Sequence, residues 1–148
     1  MDKKDIKDQK KVIKDNLEKL HILRDQGYEE FISDFRNIDS GISRLQSSIA
    51  ALREIENHIV SLFNLEAPPS NEEGFKRLKE AGNISKDKIR TYEQMLYFKE
   101  RVRKLSDRMD TKKLYNIVRD ELESIEDFYK NLGSIVKAHK KNLANRTE

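Results

Sequence analysis

A basic stretch near residue 100 contains the side chains of this sequence that are best suited to hold phosphate groups. Lys99–Lys113 has seven basic and three acidic residues, whereas all 148 residues together carry a net charge of +3. On a helix, Arg101, Lys104 and Arg108 would share one face, because residues three and four positions apart are neighbours there. With Arg103 they form a possible RNA- or phosphate-binding set. No aromatic residue is predicted to interleave with this face, so composition alone favours a solvated basic surface over a binding site.

Other catalytic or metal-binding chemistry finds little support in the sequence. The three histidines, His21, His58 and His139, stand in separate segments, without the spacing of an H-E-x-x-H zinc motif. There is no cysteine and no glycine-rich phosphate loop. We therefore expect no metal and no cofactor, and we interpret each histidine as a surface or packing residue.

The basic stretch must be positioned by helices. Charged residues make up 39% of the chain and apolar residues 36%, with five Gly and two Pro, a composition typical of long amphipathic helices. Apolar residues recur every three or four positions, which predicts an all-α, up-and-down bundle of about five helices. The predicted helices are Ile6–Gln26, Arg36–Asn64, Glu72–Ala81, Lys86–Arg108 and Thr111–Leu143, with a short turn over Tyr28–Asp34. We expect one domain over residues 1–148, frayed at about 1–5 and 143–148.

Single residues mark the boundaries of these helices. Gly27 is a plausible stop for the first helix, and Pro68–Pro69 form the clearest break. Asp110 is predicted to cap the last helix. Glu56 interrupts the apolar seam of the second long helix. We interpret it as the edge of that seam, the alternative being a buried carboxylate with a partner.

The location of the chain is predicted from what the sequence lacks. Membrane-spanning helices need about 20 consecutive apolar residues, and no run in this sequence approaches that length. The first residues are charged and have no signal-peptide core. Together with the absence of cysteine, this predicts a cytoplasmic protein with no membrane partner.

Several segments in a fixed order resemble one family. They are R-L-Q at 44–46 followed by N-H-I at 57–59, then A-P-P-S-N-E-E-G-F-K-R-L-K-E-A-G-N-I-S, then M-L-Y-F-K-E-R-V-R-K-L-S-D-R-M-D. Over about Val12–Leu132 their order and spacing resemble the HepT-like HEPN family. Members are the toxin halves of HEPN–MNT toxin–antitoxin modules, formerly called nucleotidyltransferase substrate-binding proteins. The resemblance implies a HEPN-like helical bundle that forms a homodimer.

The family's active motif is R-N, three further residues, His, and often a Tyr two positions later. Alignment on Phe98 places Lys99, Glu100, Lys104 and Ser106 at these four positions, so all four differ. The resemblance implies a metal-independent ribonuclease that acts at a cleft between two subunits. It also implies a nucleotidyltransferase antitoxin partner, which in the family can transfer AMP to the Tyr and silence the toxin.

The substitutions remove the groups that such a ribonuclease uses. A general base works best with a pKa near the working pH, and lysine has a reference pKa of about 10.4. Lys99 keeps a positive charge but lacks the bidentate fork of Arg. Glu100 adds a negative charge where an RNA phosphate would approach. Whether the chain is an enzyme stays open at this stage, and inactivity is the expectation.

Three interpretations follow. The first is a non-catalytic HepT-like pseudoenzyme that dimerises through the active-helix face and binds a nucleotidyltransferase partner or RNA. The second is a divergent metal-independent RNase toxin. The third is a helical scaffold or adaptor unrelated to nucleic acid. Basic residues lining a cleft would favour the first two, and basic residues scattered over open surface would favour the third.

Overall fold

The computed structural model describes residues 3–62 and 86–146, and every regular element in these two ranges is an α-helix. The helices are α1 (Lys3–Asp25), α2 (Tyr28–Ile32), α3 (Phe35–Leu62), α4 (Lys86–Asp107), α5 (Thr111–Asp120) and α6 (Leu122–Arg146). The predicted all-α class is therefore confirmed. The predicted helix Glu72–Ala81 and the Pro68–Pro69 break lie outside the described residues. So do the side chains of Ser106 and His139. That the chain forms a single domain stays a prediction.

The turn between α1 and α2 depends on one glycine. Gly27 has φ +84°, a backbone angle that L side chains rarely adopt, and α1 ends two residues before it as the sequence predicted. A Cβ added here would meet nothing within 4 Å, so the backbone conformation, and not crowding, requires glycine. The Gly27 carbonyl then accepts the first hydrogen bond of α2, from the Phe31 amide at 2.9 Å.

The helices α1 and α3 pack along each other more extensively than any other pair of the described helices. Among the apolar contacts lies a polar one, in which the buried Asn16 donates to Ser47 Oγ at 3.0 Å. Arg44, the first residue of R-L-Q, donates to Asn16 Oδ1 at 3.3 Å. The buried amide is thus hydrogen-bonded at both ends, which avoids the cost of an unsatisfied polar group.

One apolar cluster joins all six helices. Burial of a large aliphatic or aromatic side chain contributes roughly 1.5–3 kcal/mol each, so this cluster dominates the stability of the bundle. Its fully buried members include Ile13, Leu20, Phe31, Leu45, Leu52, Ile59, Met95, Phe98, Leu114, Val118 and Ile125. On α4 the buried apolar residues are only Met95, Phe98, Val102 and Leu105 among the described side chains, at spacings of three, four and three.

The prediction of one continuous last helix was wrong. The chain bends at Glu121, which has φ −107° and ψ −2° and separates α5 from α6. Backbone hydrogen bonds still run from Glu121 to the Ile117 carbonyl at 2.9 Å and from Ile125 to the Glu121 carbonyl at 3.1 Å. The junction is therefore a kink, at which the backbone bends while helical hydrogen bonds continue across it.

Tyr115 of α5 holds the junction of α1 and α2. Its hydroxyl donates to the Arg24 carbonyl at 3.0 Å, near the end of α1. Its ring packs against Tyr28 and Phe31, with ring centroids 5.6 and 5.3 Å away. Tilted aromatic pairs of this kind add stability beyond their buried area.

Candidate functional site

Lys99, which the sequence comparison predicts to stand at the family's Arg position, points into the protein. Its Nζ lies 2.8 Å from Glu56 Oε1 on α3, and the two side chains are only 9% and 8% exposed. The ammonium also lies 5.9 Å from the centre of the Phe128 ring on α6, within cation–π range. Glu56 is therefore a buried, paired carboxylate, and the prediction that it marks the edge of the seam was wrong. Its partner lies 43 positions away in the sequence, so the periodicity of α3 could not reveal it.

Lys104, which the sequence comparison predicts to stand at the family's His position, lines a groove of about 740 Å³. The groove runs between the second half of α4 and the beginning of α5. Leu105 and Ile117 form an apolar floor, and both are buried. The cationic side chains of the lining are Arg101, Lys104, Arg108 and Lys113.

These four cations differ in how far their charge is neutralised. Arg101 donates to Glu121 Oε1 at 2.7 Å and lies 5.7 Å from the centre of the Tyr97 ring. Lys104, Arg108 and Lys113 form no ion pair with any residue in the described ranges. The groove thus presents three cations whose charge is available to a ligand, a strong attraction for phosphate.

Asp110 supplies a carboxylate to the lining of this groove, but its side chain is used to cap α5. Its Oδ1 accepts from the backbone amides of Lys112 and Lys113 at 3.0 and 3.1 Å, as the sequence predicted for a helix cap. The cap fixes where α5 begins. It thereby places Lys113 across the groove from Lys104 and Arg108.

Glu100 and Arg103 face away from the groove and pair with each other. Arg103 Nε donates to Glu100 Oε2 at 3.0 Å, and the same Arg reaches Asp107 at 3.3 Å. The hydrogen bond from Arg103 holds the pKa of Glu100 below its usual value, partly opposed by desolvation, and the nearby charges of Arg103 and Lys104 add to the lowering. Glu100 and Arg103 are not among the residues that line the groove.

Of the four predicted phosphate-binding residues, the fold brings Arg101, Lys104 and Arg108 into one groove and leaves Arg103 outside. Sequence reasoning missed Lys113, because its placement depends on where α5 turns back. It also missed Tyr97, which is 65% exposed and lines the groove. The spacing 97, 101, 104, 108 is helical, so a signal for an aromatic residue on the basic face was present.

The remaining candidates lie elsewhere. His58 is buried on α3 and His21 is half-buried on α1, and neither lines the groove. Within the two described ranges, no three His, Asp or Glu side chains are grouped so that they could hold a metal ion. No helix in those ranges is long and apolar enough to cross a membrane.

The described residues form a helical bundle with a cation-lined groove between α4 and α5. A model of the family described as ribonuclease HepT-like matches residues 13–132. The chain therefore belongs to the HepT-like ribonuclease family, and the resemblance noted in its motifs is confirmed.

Two solved structures have a similar fold. One is a toxin–antitoxin crystallised with AMP-PNP, with a TM-score of 0.69 and 23% identity over 89% of this chain and 99% of that chain. The other is a tyrosine-to-alanine mutant of a toxin–antitoxin named MntA–HpeT, with a TM-score of 0.70 and 24% identity over 91% and 98% of the two chains. Among curated proteins, no sequence matches significantly.

Proposed function

We propose that this chain is a non-catalytic member of a HEPN–MNT-type toxin–antitoxin module, which binds single-stranded RNA in the Lys104 groove without cleaving it. The observation that carries the proposal is the separation of the two motif positions. Lys99 is held in the core by Glu56 at 2.8 Å, whereas Lys104 is exposed in the groove. A cleavage site needs both groups on the same phosphodiester.

The chemistry of the groove supports binding more than catalysis. Cleavage of RNA by its own ribose requires a base that removes the proton of the 2′-hydroxyl. The described residues that line the groove include no His, and their one carboxylate, Asp110, caps α5. Ammonium and guanidinium groups bind phosphate oxygens well, and Lys104 and Arg108 present one of each to the groove.

The test combines cleavage and binding. The purified chain is incubated with fluorescent single-stranded RNA in the presence of a chelator, and binding to the same RNA is followed by anisotropy. We expect intact RNA and salt-sensitive binding, which Lys104→Ala with Arg108→Ala weakens. Arg103→Ala, on the same helix but outside the groove, is the matched control. Cleavage that disappears with Lys104→Ala would instead favour the divergent RNase, and absence of binding would favour the scaffold.

The partner is proposed from the same family context. The two similar structures are toxin–antitoxins by name, which supports an MNT-type nucleotidyltransferase as the antitoxin partner of this chain. Co-expression with the neighbouring reading frame, followed by purification through a tag on this chain alone, tests it. A stable complex with a nucleotidyltransferase is expected, and recovery of this chain alone would count against the module. A cytoplasmic location follows from this proposal and stays a prediction.

A homodimer would extend the groove. Tyr97 and Met109 at its rim are 65% and 45% exposed, large apolar surfaces that a second copy could cover. Two copies related by a two-fold axis near these residues would turn the groove into a shared cleft. Light scattering on the wild-type chain and on Tyr97→Asp tests this. We expect the wild-type chain to be a dimer and the variant to be a monomer. Phe35→Asp, at a 72% exposed position on α3, is the control expected to stay dimeric.

A further inference from the structure

The apolar contacts of the described part of α4 lie mainly along one row. Its buried apolar residues recur at spacings of three, four and three, and Leu96 is partly buried beside them. A row of apolar contacts holds a helix against its neighbours. The hydrophobic effect is not directional, however, so it specifies the rotation of the helix less strictly than a hydrogen bond does. Directional contacts hold one rotation. One of them lies on the side of α5, where Arg101 donates to Glu121 Oε1 at 2.7 Å, and a second lies on the side of α3.

Glu56 and Lys99 supply such a contact at the edge of that row. The 2.8 Å ion pair joins α3 to α4, and Phe128 places α6 beside the same ammonium at 5.9 Å. Both charged side chains are more than nine-tenths buried. Removing two charges from water offsets most of what their attraction contributes, so buried pairs add little net stability. What such a pair adds is specificity, because the two charged groups interact favourably only when the two helices have one particular orientation.

We propose that Glu56 and Lys99 are a positioning pair that fixes the rotation of α4 and so directs Lys104 and Arg108 into the groove. Residues five positions apart on a helix point about 140° away from each other. When Lys99 is held toward α3, Lys104 must therefore face outward. Lys99 is thus a positioning residue, and it is not a phosphate ligand left over from a nuclease. The role given to the groove rests on the proposed function, but the rotation of α4 does not.

The absence of cysteine makes the rotation measurable. Val102→Cys places one thiol at a position that is 3% exposed on the buried side of α4. Arg103→Cys places one at the next residue, where the side chain is 61% exposed. Thiol labelling under native conditions is compared in three backgrounds of the full chain: unchanged, apolar (Glu56→Leu with Lys99→Met) and swapped (Glu56→Lys with Lys99→Glu).

We expect the apolar background to keep or raise the midpoint of urea unfolding, because two apolar side chains replace a costly pair. At the same time, the cysteine at 102 should label at least about tenfold faster, because other rotations of α4 become accessible. The swapped background should restore protection, since the pair is rebuilt in reverse. The cysteine at 103 should label at the same rate in all three.

Three results would overturn the proposal. Full protection at 102 in a folded apolar variant would show that packing alone sets the rotation. An apolar variant that does not fold, or that labels faster at both 102 and 103, would show that the pair stabilises the whole fold. Failure of the swapped variant to restore protection would show that the pair has no orienting role. None of these results depends on RNA binding or cleavage, so failure here is distinguishable from failure of the proposed function.

Discussion

Two lysines on α4, five positions apart, have opposite surroundings. Lys99 is 9% exposed, pairs with Glu56 and lies near the Phe128 ring. Lys104 is exposed, forms no ion pair within the described ranges and lines an open groove. The alignment on Phe98 predicts that both occupy positions where the family has catalytic residues, and both carry the same charge. The first is part of the core, and the second is part of the surface available to a ligand.

The difference shows that position in a motif does not by itself define a role. Lysine has a long apolar stem, so its charge can cross a helix interface to a carboxylate or extend into solvent. Which of the two occurs depends on the residue that faces it on the neighbouring helix. Substitutions on each side of α4 test whether the two lysines have different roles.

The largest effect is expected for Lys99→Ala. This variant removes the ammonium from a carboxylate that stays buried, which should lower the free energy of unfolding by about 1–3 kcal/mol. Lys104→Ala is the matched control on the same helix and should change it by no more than about 0.5 kcal/mol. Urea unfolding followed by circular dichroism measures both. If both variants lose the same free energy of unfolding, the two lysines do not differ in their contribution to stability.

Asp110→Ala should separate stability from binding. Loss of the helix cap lowers the free energy of unfolding by about 1 kcal/mol, since two amides at the start of α5 lose their acceptor. The groove becomes more positive, so the affinity for single-stranded RNA should rise while the fold weakens. Asp107→Ala, an exposed acid outside the groove lining, is the control. Asp110→Asn keeps a capping oxygen but removes the charge, so weaker RNA binding by this variant would mean that the groove does not bind phosphate.

A smaller effect is expected for Lys104→Ala in RNA binding. Loss of one phosphate contact on a single strand should reduce the slope of log affinity against log salt by about 0.7. Lys130→Ala on α6 is the control, because this lysine is exposed but paired with Glu126 and lies outside the groove. Anisotropy titrations at four salt concentrations give the slope. An unchanged slope would place the RNA elsewhere.

The smallest effect concerns the Glu100–Arg103 pair on the outer face of α4. The pKa of Glu100 is lowered by the hydrogen bond from Arg103, and Arg103→Ala should move that pKa up toward the usual value. A lowered folded pKa means that this contribution to stability is present above the unfolded pKa of about 4.3. It is lost as the pH falls through the lowered value. An NMR titration of the Glu100 carboxyl measures the shift, and no change with Arg103→Ala would contradict the assignment.

The sequence predicts well what neighbouring residues decide. The all-α class follows from the spacing of apolar residues, the end of α1 from Gly27, and the start of α5 from Asp110. Each depends on backbone angles or hydrogen bonds within a few positions. The basic face of α4 could be predicted for the same reason, because its members share one helix.

Contacts between distant segments could not be predicted in this way. Glu56 meets a lysine 43 positions away, and Arg101 meets Glu121 across 20 positions. The kink at Glu121 breaks a stripe of apolar residues whose periodicity gives no sign of an interruption. The place of Lys113 in the groove likewise depends on how α5 packs against α4. These features arise from how the helices pack against one another. The residue pattern of a single helix contains no information about that packing.

The hydrogen bond from Tyr115 to the Arg24 carbonyl has a consequence for the order of folding. It joins residues 91 positions apart, so a long stretch of chain must close before it can form, at a cost in chain entropy. The packing of α1 on α3 spans far less sequence. We therefore expect the α1–α3 hairpin to assemble early and α5 to dock late. Tyr115→Phe should accelerate unfolding while leaving the folding rate nearly unchanged, and a slower folding rate in stopped-flow measurements would place that docking before the rate-limiting barrier.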